Sequence, residues 1–309
     1  MTTHINDLLS PAELALVTHR SNWRGATIIA FDWLVIGATF ILMAVFPNPL
    51  VLLAGVAILG TRQLGLGIVV HESGHRTLFS SNALNDFASK WLSGYWVFSD
   101  KDSYMRTHLK HHQTAGTSAD PDLANYAAYP ISRTSLRRKF TRDLTGRVGW
   151  RRLKSIHRAL KRLPKLSPPT RQYLLRSLGV NALLLICLTS LGHGWLYLMW
   201  VIAFITSHML VVRIRQIAEH AAVPDASSTD PRNHTRTLYI SWLERLLIAP
   251  HQVHYHLEHH LMASVPIYRL ATLHRLLLEK DYFEGMVFQR GYVNLLKTVS
   301  GDVAIKTKA

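Results

Sequence analysis

Four apolar runs of about 20 residues, set as two pairs, leave this chain few folds to adopt. The first pair covers residues 25–46 and 50–70, broken by Pro47-Asn48-Pro49. The second covers 172–191 and 194–212, joined by the turn around Gly192-His193-Gly194. Each run has the length that crosses ~30 Å of hydrocarbon, where a backbone must satisfy its own hydrogen bonds and so becomes helical. The expectation is an all-α integral membrane protein with four transmembrane helices in two hairpins. Apolar residues make up 48% of the 309, and their concentration in these runs argues against a soluble chain with one large core. The N-terminus lacks the basic, apolar and small-residue segments of a signal peptide. Ser10-Pro11-Ala12-Glu13 predicts a capped short helix to about Arg20.

Charge orients the hairpins. The formal net charge is +16, yet the turns near 48 and 193 carry no Lys or Arg. Nearly all the cations lie in the N-terminus, in 101–171 and after Val212. The positive-inside rule puts those segments and both termini in the cytoplasm, making 71–171 and 213–309 a cytosolic cap on a single domain spanning 1–309. Residues 133–165 hold thirteen Lys or Arg against one acid, Asp143. Trp150, Leu153, Ile156 and Leu160 recur among them at helical spacing, which favours a membrane-surface helix over nucleic-acid binding. Leu84–Phe98, with Trp91, Tyr95 and Trp96, and residues 238–250 also read as interfacial helices. Asp32 and Arg62 lie 16 and 14 residues from the turn at Asn48, at similar depth. Either they face each other or a wet cavity, or both snorkel to the headgroups. The single cysteine, Cys187, excludes a disulfide framework, a thiolate zinc site and a built-in iron–sulfur cluster.

The chemistry is carried by histidine. His71 and His75 are spaced i, i+4; His108, His111 and His112 are spaced i, i+3, i+4, as are His256, His259 and His260. On a helix the latter spacing puts three imidazoles on one face, able to close on a metal. An even number of crossings separates the three clusters, so all lie on the cytoplasmic side. Neutral imidazole suits iron, zinc and copper, and eight such donors exceed what one ion can use, so two metals are expected. Glu72, Glu219, Glu258, Asp120 and Asp122 are placed to accept imidazole N–H bonds. His4, His19, His157, His193, His234 and His274 read as surface or packing residues, and His208 as a satisfied core residue. His251 and His254 flank the third cluster off its face, with their roles open.

Two rival readings use the same residues. His71-Glu72-Ser73-Gly74-His75 fits the H-E-x-x-H motif of zinc metalloproteases, including intramembrane ones. A protease needs one zinc and one further ligand, which leaves two clusters without a purpose. A metal-binding transporter would place its ligands midway along the spans, whereas these lie beyond the helix ends.

Together the clusters resemble those of the membrane-bound fatty acid desaturase and hydroxylase superfamily, the histidine-box di-iron enzymes. The likeness is carried by His71-Glu-Ser-Gly-His75-Arg-Thr-Leu-Phe79, by His108-Leu-Lys-His111-His112 with Asp120-Pro-Asp122, and by Tyr255-His256-Leu-Glu-His259-His260-Leu before Ser264-Val-Pro-Ile-Tyr268. It spans roughly residues 25–275. It implies two non-haem, histidine-ligated irons that use O2 to attack an unactivated C–H bond of a fatty acyl or lipid-like substrate. It adds His220 as a further metal ligand and Gln216 as an amide near the metal. His254 stands where members of the superfamily commonly have Asn. The resemblance favours desaturation, with hydroxylation of an alkyl, lipid or carotenoid-like substrate as the alternative. Electrons would come from an external ferredoxin or cytochrome b5-like donor, and the expected location is a bacterial inner membrane.

Overall fold

The computed structural model describes residues 8–301, so the expectation for His4 lies outside the described residues. Apart from one short parallel pairing of Leu238–Tyr239 with Gln289–Arg290, the regular structure among them is helical. Helix α1 (Pro11–Thr18) opens with the expected capping box, Ser10 and Glu13 exchanging side-chain and backbone bonds. The first hairpin is α2 (Asn22–Val45) and α3 (Pro49–Gly74). Asn48 caps α3 by accepting from Val51 N–H, and Pro49 takes the first turn, where its missing N–H costs nothing. Helix α3 is the hub: 67% of its apolar window lies inside the protein, against 33% for the first span. It runs past the predicted end at residue 70 and carries the first histidine pair on its last turn.

The interfacial stretch 84–98 is two pieces, not one helix. Helix α4 (Asn82–Trp91) stops where Ser93 leaves helical angles, and a 3-10 turn covers Gly94–Val97. Phe87 and Trp91 remain exposed on its outer face. Helix α5 (Lys101–Thr114) carries the second cluster, and the short α6 (Leu123–Tyr126) follows. The basic stretch forms α7 (Arg133–Leu144) and α8 (Arg147–Lys161), with Trp150 exposed on the latter.

The second hairpin is α9 (Pro168–Ser190) and a broken fourth helix, α10 (Leu196–Ile205) and α11 (Ser207–His220). The break is at Thr206, with φ −120° and ψ −88°. The helix continues eight residues beyond the predicted end at 212 and thereby delivers His220 to the cap. A Cβ on Gly60 would lie 2.2 Å from Ser207 Oγ, so only glycine lets α3 pass the start of α11 this closely. Four helical stretches, within Pro11–Val45, Pro49–Gly74, Pro168–Ser190 and Leu196–His220, are long and apolar enough to cross a membrane.

After α12 (Pro231–His234) the chain forms α13 (Trp242–Leu247), shorter than the helix expected over 238–250. The strand at 238–239 takes its front, and Ile248 departs from helical angles just before Pro250. Helices α14 (His256–Leu261), α15 (Leu270–Glu279) and α16 (Tyr292–Val299) complete the cap. The largest apolar core lies beneath them, joining Leu64 and Ile68 of α3 to Ile217, Leu257, Leu273 and Leu295.

Asp32 and Arg62 face each other at 2.9 Å, and neither is more than 1% exposed. Snorkelling is thereby overturned. A Cβ on Gly65 would fall 2.5 Å from Asp32 Oδ2, so glycine makes room for the pair.

Candidate metal centre

Nine imidazoles from four helix segments converge at the cap end of the bundle, in two groups. His71, His75, His108, His112 and His259 form one; His111, His220, His256 and His260 form the other. Within each group the candidate donor atoms all lie within 4.8 Å of one another. Each His-x-x-His-His segment is therefore divided. Helix α5 gives His108 and His112 to the first group and His111 to the second, while α14 gives His259 to the first and His256 and His260 to the second. Helical geometry explains this: i and i+4 are 40° apart around the axis, whereas i+3 lies about 60° to the other side. The expectation that one cluster closes on one metal is corrected, because each segment serves both groups.

Hydrogen bonds fix how the rings point. His71 Nδ1–H donates to Glu72 Oε1 at 2.8 Å, and His111 Nδ1–H donates to Asp120 Oδ1 at 2.8 Å. His220 Nδ1–H donates to the His234 carbonyl at 2.9 Å. With Nδ1 protonated, each Nε2 presents a lone pair inward. In the first group the Nε2 atoms of His75 and His108, and of His112 and His259, are 3.0 Å apart, and those of His108 and His112 are 3.1 Å apart. In the second group His111 lies 3.2 Å from His220 and 3.3 Å from His260, and His256 lies 2.9 Å from His220. Converging lone pairs at such distances repel unless a cation sits among them. His71 Nε2, buried without a partner, has the same need. Two donors at ~2.1 Å from one ion and 90° apart are ~3.0 Å from each other, so the spacing fits a metal with octahedral-type angles.

Burial also keeps these rings neutral. It pushes the His75 imidazole down to about 4 and that of His112 to about 3. His108, His256, His259 and His260 lie well below the ordinary value, through burial first and crowding by other imidazoles second.

The acids divide in role. Glu72 also accepts from Ile267 N–H at 3.0 Å and Thr77 Oγ at 3.1 Å, so it ties the first pair to the loop after the third cluster. Thus engaged, it is not poised as the general base of a protease. Asp120 is additionally held by the Tyr126 hydroxyl. Asp122, at 4.0 Å from His111, and Glu219, at 3.5 Å from His256 Nδ1, are too far to accept the expected bonds. Glu219 pairs with Arg215 instead. Glu258 accepts from His274 and Thr237, buttressing α14 from behind.

His234 and His274 are thus buried hydrogen-bonding residues of the centre's surroundings, contrary to the surface alternative. Their link to it depends on folding and left no spacing signal. His19 and His157 are exposed as expected, and His193 is half-buried. His251 is in neither group: its Nε2 lies 2.7 Å from Asp32 Oδ2, while Arg62 Nη2–H donates to the Leu246 carbonyl at 2.6 Å. The buried ion pair therefore anchors the segment entering α14, where His251 and Gln252 both take positive φ. His254 is also outside both groups. His208 corrects the expectation of a satisfied core residue, since its buried Nδ1 has no partner.

A cavity of about 290 Å³ opens on the second group, lined by His111, His220 and His256 together with Gln216 and, from the first group, His108. The fatty acid desaturase family model matches residues 47–292. The chain is 25% identical to the dihydrorhizobitoxine desaturase of Bradyrhizobium elkanii over 267 residues, 81% of this chain and 74% of that protein. It is 27% identical to the beta-carotene ketolase of a Paracoccus species over 234 residues, 73% of this chain and 80% of that protein. With the family matched across most of its length and its histidines gathered at one end of four apolar helices, this chain belongs to the fatty acid desaturase family and is a membrane oxidoreductase.

Proposed function

We propose that the protein removes two hydrogens from adjacent unactivated carbons of a lipid-like substrate, using O2 and two irons. The observation carrying this is the division of nine inward-facing imidazoles into groups of five and four. His71, His75, His108, His112 and His259 would hold one iron, and His111, His220, His256 and His260 the other. Bound there, the irons would supply the oxidising power that breaks a strong C–H bond. The chain's own residues orient and exclude: Glu72, Asp120 and the His234 carbonyl fix the imidazole tautomers, and the apolar core beneath α14 keeps water out. The space beside His111, His220 and His256 would hold the reacting carbon.

The cationic surface of α7 and α8 supports membrane-surface contact and docking of an acidic electron donor such as a ferredoxin or cytochrome b5-like protein. Charge asymmetry supports cytoplasmic termini and a cytoplasmic centre in a bacterial inner membrane, with residues 1–309 working as one domain. Hydroxylation is the second reading, favoured by the likeness to a ketolase. Mass spectrometry of products from labelled lipid separates the two. Loss of two hydrogens is expected; gain of one oxygen would replace desaturation by hydroxylation.

A further inference from the structure

The cavity that opens on the second histidine group extends well away from it. It follows α11, where His208, Val212, Arg215, Gln216, Glu219 and His220 line it at helical spacing. From His208 to His220 that stripe rises about 18 Å. At the end remote from the histidine groups, Arg152 of α8 enters beside Val97 and His208. Arg152 Nη2–H donates to the carbonyls of Val97 at 3.1 Å and Phe98 at 3.0 Å, and its guanidinium lies 4.8 Å over the Phe204 ring. Arg213 and Arg215 have Asp143 and Glu219 as partners, whereas no carboxylate pairs with Arg152 among the described residues. His208 stacks on the same Phe204 ring at 5.5 Å, is only 5% exposed, and leaves Nδ1 without a partner. Arg152 thus keeps a positive charge that no carboxylate balances, and His208 a buried nitrogen that no group bonds; an anion placed between them would satisfy both.

We infer that the substrate carries a carboxylate received between Arg152 and His208, with its reacting carbon at the histidine end of the cavity. This rests on the proposed C–H oxidation and narrows it to a substrate class: a short amphiphile with a free carboxylate, not a hydrocarbon or a long acyl chain esterified to a carrier. A guanidinium N–H and the imidazole Nδ1–H match the two oxygens of a carboxylate. Side chains occupy part of the 18 Å, leaving room for roughly ten bonds of extended chain at ~1.2 Å each. The volume of about 290 Å³ is at the small end for ligand sites.

The test titrates the iron-loaded protein in nanodiscs with octanoate, octanol and methyl octanoate, reading binding by calorimetry without turnover. Octanoate is expected to bind at least about tenfold tighter than the other two. Arg152→Gln should erase that preference at unchanged iron content, Arg152→Lys should restore part of it, and His208→Phe should weaken it less. Equal affinity for the three probes, or a preference that survives in folded Arg152→Gln, overturns the inference. Should Arg152→Gln fail to fold, the wild-type ranking decides alone. A chain that prefers octanoate but binds no iron contradicts the proposed oxidation and leaves the carboxylate site standing; full iron without head-group preference does the reverse.

Discussion

The two histidine groups are built from the same helices yet meet different surroundings. Of the five-imidazole group only His108 lines the cavity, whereas three members of the four-imidazole group line it. A six-coordinate metal would lack one donor in the first group and two in the second. With the reacting carbon in that cavity as proposed, open coordination space and substrate would lie on the same side, set by which residue of each His-x-x-His-His segment is the i+3 member.

The largest expected effect breaks this asymmetry directly. His220→Ala should strip the metal from the four-imidazole group and lower turnover more than about 100-fold, beyond the loss from an outer partner. His75→Ala leaves four donors in its group and should retain more metal and more activity. Equal losses in metal analysis and turnover would remove the distinction between the groups. Next, Asp32→Asn leaves Arg62 buried without its charge partner and frees His251, so stability should fall by ~3–5 kcal/mol. Because α14 serves both groups, the two should loosen together, which thermal unfolding and stepwise metal release would reveal. Loss from one group alone would show that the ion pair does not anchor the third cluster.

Smaller and selective is the effect of Asp120→Asn. It should weaken metal binding about 10–100-fold in the four-imidazole group only, through the His111 tautomer. Competition against a chelator measures it, and an unchanged release curve would sink that role. Smallest is His254→Asn: with His254 outside both groups, metal content should match the wild type. A lost metal would make His254 a ligand.

The hairpins and the histidine segments were legible because each rests on a local period: apolar length for the spans, and i, i+3, i+4 for the rings. His220 was reached only by resemblance, since a single histidine at the end of a long helix has no period. The division of each segment between two groups was not legible either, because it depends on where α5 and α14 meet. His274 behind Glu258 and His251 on Asp32 are joined across 16 and 219 residues, contacts that sequence spacing does not announce. His208 looked like an apolar-flanked core residue for the same reason: its cavity is made by α8, distant in the chain.

The central claim is a two-metal centre with unequal sites. Iron quantification together with Mössbauer spectroscopy of the purified protein tests it most directly. Two irons per chain in two distinguishable environments are predicted; a single metal per chain, or zinc in place of iron, would contradict it.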